Sequence, residues 1–131
     1  MLEKPPVTII DHANGGKGRI ILEHIAGPET LRENARLFVK ATLEKGCSMG
    51  VHKHKGDREI YHILSGKALY TDNDKTYEMN PGDSACCENG NSHGIENIGE
   101  ENLVFIGLIL YDLDKNCLLY TSPSPRDRQK S

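Results

Sequence analysis

The sequence predicts an all-β chain folded as a jelly-roll barrel, and three observations carry that prediction. Short stretches rich in β-branched, aromatic and aliphatic residues recur from residue 7 to residue 111, at the close spacing of an all-β domain. Turn formers separate them, among them Ser65-Gly66, Asp72-Asn73-Asp74 and Asn80-Pro81-Gly82-Asp83, where glycine and asparagine accept positive φ and proline presets φ near about −65°. Many short antiparallel strands fit a sandwich or a closed barrel. The immunoglobulin kind of sandwich lacks its markers, because the chain has no tryptophan and no cysteine pair at the spacing of an inter-sheet disulfide.

Taken in order, the strands begin with VTII at 7–10 and RIILEHI at 19–25. GPETLREN at 27–34 allows one helical turn, with Pro28 suited to a first helical position and acidic residues behind it, too short to alter the fold class. ARLFVKATLE at 35–44 and MGVHKH at 49–54 follow, then a polar turn made of Lys55, Gly56, Asp57 and Arg58. Glu59 opens the next strand, EIYHILS at 59–65, and KALYT at 67–71 pairs naturally with TYEM at 76–79 across the Asp72-Asn73-Asp74 turn. DSACC at 83–87 is broken off by Gly90, after which His93 enters SHGIENI at 92–98. The last strand is LVFIGLILY at 103–111, whose unbroken apolar run reads as a strand buried in the core.

The 131 residues suffice for one domain, placed at 1–112. Hydrophobic residues at 37%, with 13 glycines besides, reach the apolar share of a globular protein, so wholesale disorder is excluded. Sixteen Lys plus Arg against nineteen Asp plus Glu leave a formal charge of −3, and no basic stripe could neutralise a run of phosphates, which argues against a nucleic-acid partner. The longest apolar run falls well short of the roughly 20 residues of a membrane-spanning helix, and MLEKPPVTII carries no basic-then-apolar leader pattern. Residence in the cytoplasm is the expectation. Cys47, Cys86, Cys87 and Cys117 show no Cys-x-x-Cys spacing, and the adjacent pair on a strand would point to opposite faces; they read as reduced residues without a chemical role. Residues 113–131, with two Ser-Pro pairs and then alternating charges, read as a disordered tail. From Leu118 onward that tail resembles the translation of a sequencing-adapter remnant.

Chemistry concentrates between Gly46 and Gly66. His52 and His54 are separated by one residue, and positions i and i+2 of a strand share a face about 6.5 Å apart, so both imidazoles can converge on one ion. Glu59 can return a carboxylate to the same side from the next strand of the hairpin. A fourth ligand is then required, and His93 in the later strand is the candidate.

These residues resemble the cupins. The family's first motif, G-x5-H-x-H-x3,4-E-x6-G, is met in full by Gly46, His52, His54, Glu59 and Gly66. Its second, G-x5-P-x-G-x2-H-x3-N, is met by Gly82, Gly90, His93 and Asn97, with Glu88 standing where proline is usual, so the local loop is the point of departure and the ligand is not. The short spacing between the motifs is that of small single-domain bacterial members. The resemblance implies a double-stranded β-helix with His52, His54, Glu59 and His93 gripping one divalent transition metal. Three imidazoles and a carboxylate suit Mn, Fe, Co, Ni or Zn and not the thiolate-preferring Cu(I). On a six-coordinate ion two positions would remain for water, dioxygen or a bidentate substrate.

The resemblance implies a metal-dependent enzyme of the dioxygenase type acting on a small molecule. The alternatives are a sugar or sugar-phosphate isomerase or epimerase and a non-catalytic ligand sensor. No nucleophile elbow, phosphate loop or nucleotide fingerprint accompanies the metal motif. Tyr61, two residues past Glu59, shares the cavity face, either to hydrogen-bond a ligand or as a core aromatic. His62 falls on the opposite face and, with His12 and His24 outside both motifs, reads as an outward histidine. The four motif glycines read as turn residues, and Asn97 as structural. A small barrel leaves sheet edges and an apolar outer face open, and the resemblance implies that a second copy covers them in a homodimer, through pairing or exchange of N-terminal strands such as VTII.

Overall fold

The computed structural model describes residues 1–112. The tail reading and Cys117 lie outside the described residues. Ten strands, a 3-10 turn and one α-helical turn follow one another: β1 (Thr8–Asp11), the 3-10 turn (Ala13–Gly15), β2 (Arg19–His24), α1 (Pro28–Leu31), β3 (Ala35–Leu43), β4 (Ser48–Lys53), β5 (Asp57–Ser65), β6 (Ala68–Asp72), β7 (Lys75–Met79), β8 (Ser84–Cys87), β9 (Ser92–Asn97) and β10 (Leu103–Tyr111). All pairings are antiparallel, in a six-stranded sheet ordered β1-β2-β3-β10-β5-β8 and a four-stranded sheet ordered β4-β9-β6-β7. From β3 to β10 the chain crosses repeatedly between the sheets, with β6 and β7 paired within one of them, which makes the double-stranded β-helix, and every strand expected from the sequence is present within a residue or two of its bounds. No helix among the described residues is long and apolar enough to cross a membrane.

Period-2 alternation decides which residues meet inside. In β10, Leu103, Phe105 and Ile109 are buried while Val104, Ile106 and Leu108 between them are only half-buried. β3 and β5 alternate the same way, and the core forms from Val39, Ala41, Leu43, Ile63 and Phe105 on one sheet against Ala68, Tyr70 and Ile95 on the other. The central strand β10 sets Gly107 between Val39 and Tyr61, an unusually small residue in that run. Gly66 closes the β5–β6 turn at φ 92, where a Cβ would lie 2.7 Å from the Asn102 carbonyl oxygen; both the backbone and the space demand glycine there.

One expectation is corrected. Asp57 does not belong to a loose polar turn: it opens β5, is 5% exposed, and pairs opposite Tyr111. Burial is tolerable because its carboxylate accepts two hydrogen bonds from Arg36, at 3.1 and 2.8 Å, and one from His54 at 2.7 Å. The loop with Glu88 in place of proline holds together through other bonds: the Asn91 amide donates to the Glu88 carbonyl, and the Gly90 amide donates to the His54 carbonyl at 2.8 Å.

Candidate metal centre

The centre is assembled from both sheets. β4 and the residue just after it bring His52 and His54, β5 brings Glu59, and β9 brings His93 directly opposite His52 in the register. Their ligating atoms all lie within 4.8 Å of one another. Nε2 of His54 and Nε2 of His93 are 3.0 Å apart, and Oε1 of Glu59 lies 3.1 Å from the first, 3.0 Å from the second and 3.9 Å from Nε2 of His52. His54, Glu59 and His93 are buried and His52 is half-buried.

What turns these nitrogens inward is a second layer of partners. Nδ1 of His52 donates to the Gly50 carbonyl at 2.9 Å, and Nδ1 of His54 donates to Asp57 at 2.7 Å. A carbonyl and an ionised carboxylate can only accept, so both rings keep a proton on Nδ1, and each offers an Nε2 lone pair to an ion whenever the ring is neutral. Nδ1 of His93 is hydrogen-bonded to the Tyr70 hydroxyl at 2.9 Å. Each imidazole thus has an outer partner fixing its orientation, the arrangement that tunes metal-ligating histidines.

Charge favours a cation in this place. Burial alone would raise the Glu59 carboxyl, but hydrogen bonds from His52, His54 and His93 outweigh it and hold the group far below the ordinary carboxylate range. Burial also opposes the ionisation of Asp57, and Arg36 and His54 overcome it. His54 is raised above 6.5, chiefly by its hydrogen bond to Glu59 working against burial, whereas burial lowers His93. Lone pairs on two nitrogens 3.0 Å apart repel one another unless a proton or a metal ion stands between them. Two donors about 2.1 Å from one ion and at right angles would sit about 3.0 Å apart, close to the separations of His54, His93 and Glu59. The donor set therefore fits a divalent transition metal, and which ion it takes is left open by the ligands themselves.

The centre opens on a cavity of about 490 Å³ between β4 and the inner face of the six-stranded sheet. Tyr61 lines it as the sequence expects, yet its ring is fully buried, stacked on His93 with centroids 4.8 Å apart, and its hydroxyl points to the Met49 sulfur at 3.7 Å. Burial pushes its pKa well above 10, so the phenol is neutral. His62 and His24 bond to Ser84 and Thr8, and His12 to the Gly16 carbonyl, all away from the centre. Asn97 is buried and staples the Leu43 and Glu101 carbonyls, a structural task. Cys86 is exposed and Cys87 buried, on opposite faces of β8, with Cys87 pushed up to about 11 by burial.

Sequence reasoning missed Asp57, Tyr70, Arg36 and the Gly50 carbonyl. A signal existed for Tyr70, since alternation in KALYT places it on the face of Ala68, and for Asp57, three residues past His54. For Arg36 and a backbone carbonyl there is none.

The profile of a family described as "Cupin domain" matches residues 39–110. The chain is a cupin. An "oxalate-binding protein" of Thermotoga maritima is 40% identical over 101 residues, covering 77% of this cupin and 84% of the relative. The solved structure of a predicted oxalate decarboxylase from Thermotoga maritima superposes with a TM-score of 0.79 at 38% identity, covering 81% of this chain and 92% of that one. The cupin domain of Cnp3 from Schizosaccharomyces pombe, at 20% identity and a TM-score of 0.65 over 71% of this chain and 61% of that one, shares the fold.

Proposed function

We propose that this cupin binds one divalent transition metal ion through His52, His54, Glu59 and His93 and holds a small carboxylate of the oxalate class on it, as a binding protein. The observation that carries the reading is the buried three-imidazole, one-carboxylate cluster facing a cavity whose lining includes Arg36, Lys53 and Lys55. Lys53 and Lys55 are exposed and, among the described residues, make no salt bridge, so they can draw an anion to the mouth. The ion, when bound, would supply Lewis acidity to a ligand oxygen. The 40%-identical relative named for oxalate binding supports the same ligand class.

Binding is favoured over turnover by the proton inventory. The only carboxyls lining the cavity among the described residues, Glu59 and Asp57, are both committed to imidazoles and held ionised. Among the described residues Tyr61 carries the one lining hydroxyl. Isomerisation needs a free base and finds little support. A dioxygenase-type reaction is the second reading, favoured by the apolar wall beside the centre, which would keep water from a reacting ligand. Cytoplasmic residence fits the free thiols Cys47, Cys86 and Cys87.

Metal analysis of the full chain beside a variant with His52→Ala and His54→Ala tests the site: about one equivalent is expected in the parent and none in the variant. Calorimetric titration with oxalate should then show binding to the loaded protein only. Oxalate binding indifferent to metal, or no metal after reconstitution, would overturn the reading. Ligand consumption that stops without dioxygen would establish the dioxygenase instead.

A further inference from the structure

The cavity is divided by chemistry. Its cations and imidazoles come from β4, the turn after it and the first residues of β3, while Ile20, Leu22, Leu37, Val39, Phe105 and Ile109 form an aliphatic and aromatic wall on the six-stranded sheet. At about 490 Å³ the space lies in the range that encloses ligands many times the size of a two-carbon dianion. These side chains are themselves little exposed, and oxalate seated at the centre has no atoms to place against them.

Small residues line the same space. Gly107 lies mid-strand in β10, at an ordinary extended backbone, where a Cβ would stand 3.4 Å from both Oε2 of Glu59 and Cγ2 of Val39. Glycine weakens a strand interior and often marks close approach by a ligand. Ala41 and Ala13 likewise present the smallest side chains to the same cavity.

We infer that the ligand of this centre carries an apolar body of several carbons behind its carboxylate head: a 2-oxo acid or related carboxylate whose oxygens face the centre and the cations while its tail lies along Leu22, Val39 and Phe105. The inference rests on the carboxylate-binding reading above and deepens it. Lys53 and Lys55 match the head by charge, Arg36 being held by Asp57, and the six-stranded sheet matches the tail by polarity.

The test uses the full chain loaded with Zn²⁺, titrated calorimetrically with oxalate and with pyruvate, 2-oxobutanoate, 2-oxopentanoate and 2-oxohexanoate, a series with one head and a growing tail. Affinity should rise about fourfold per added methylene, the transfer value for burying that group. Leu37→Trp, at a half-buried position of the wall, should bring the ratio of 2-oxohexanoate to pyruvate affinity down toward one, with metal content checking that the variant folds. Affinity flat or falling with tail length while oxalate binds would overturn the apolar chamber and leave the oxalate reading standing. Failure of every probe, oxalate included, would overturn both.

Discussion

Asp57 is the residue on which the geometry of the centre turns, because it links a surface guanidinium to a buried imidazole. Its carboxylate takes the His54 Nδ1 proton on one oxygen and Arg36 on the other. Asp57→Asn removes the ionic acceptor while keeping the shape, so His54 loses its enforced tautomer, and metal affinity should fall roughly 10- to 100-fold. Competition with a chelator of known affinity measures this, and an unchanged constant would show that Arg36 and Asp57 serve the hairpin only. The same residues predict a pH dependence. Without an ion, His54 holds its proton above 6.5, and a metal must displace that proton to bind. Metal-induced thermal stabilisation should therefore weaken as pH falls through the raised pKa of His54 and level off above it; a constant shift between pH 5 and pH 8 would remove His54 from the ligand set. The four candidate ligands were legible in the sequence because His52 and His54 stand two apart on a strand and the spacing to Glu59 and His93 matches the cupin motifs. Their orienting partners were legible only in part: alternation gave the face of Tyr70 but not its partner on another strand, Gly50 acts through its backbone, and Arg36 bonds across a separation that no local pattern encodes.

At the scale of elements, the strands were legible almost to the residue, since alternation and turn chemistry are local. The 3-10 turn at Ala13–Gly15 was not, because it is held by tertiary backbone contacts rather than by its own propensities. It lies against β4 so closely that a Cβ on Gly50 would collide with the Asn14 carbonyl oxygen, and one on Gly16 with the Ser48 carbonyl oxygen. Positive φ at His12 and Asn14, uncommon for residues with side chains, persists because this packing over-determines it. The contact also steadies the Gly50 carbonyl that orients His52, and β4 is bulged between Met49 and His52, which re-aims the imidazole. Gly50→Ala should cost about 1–3 kcal/mol from overpacking and weaken metal binding together with stability. Chemical denaturation of the metal-free protein reads the first effect and chelator competition the second; a stable variant with full metal affinity would dissociate the turn from the site.

For the whole molecule, the two sheets differ in what they show outward, and the register makes the difference concrete. On the six-stranded sheet Phe38, Leu108 and Ile60 stand side by side across β3, β10 and β5, half-buried and apolar. On the four-stranded sheet the corresponding row is Glu96, Leu69 and Glu78 across β9, β6 and β7, as expected of a face in water. The edge strand β1 adds Ile9, 54% exposed, beside Ile21. Apolar rows that run to an open edge are what isologous pairing covers, and a stable interface needs about 800 Å² from each partner, which such a sheet face can offer. We expect a homodimer through the six-stranded sheet, with a light-scattering mass twice the 14.6 kDa of the chain. Leu108→Lys places a charge in the middle of the apolar row and should give monomers, while Leu69→Lys on the other sheet should leave the dimer intact. A wild-type mass of one chain, or a Leu108→Lys protein that stays dimeric, would place the interface elsewhere or remove it.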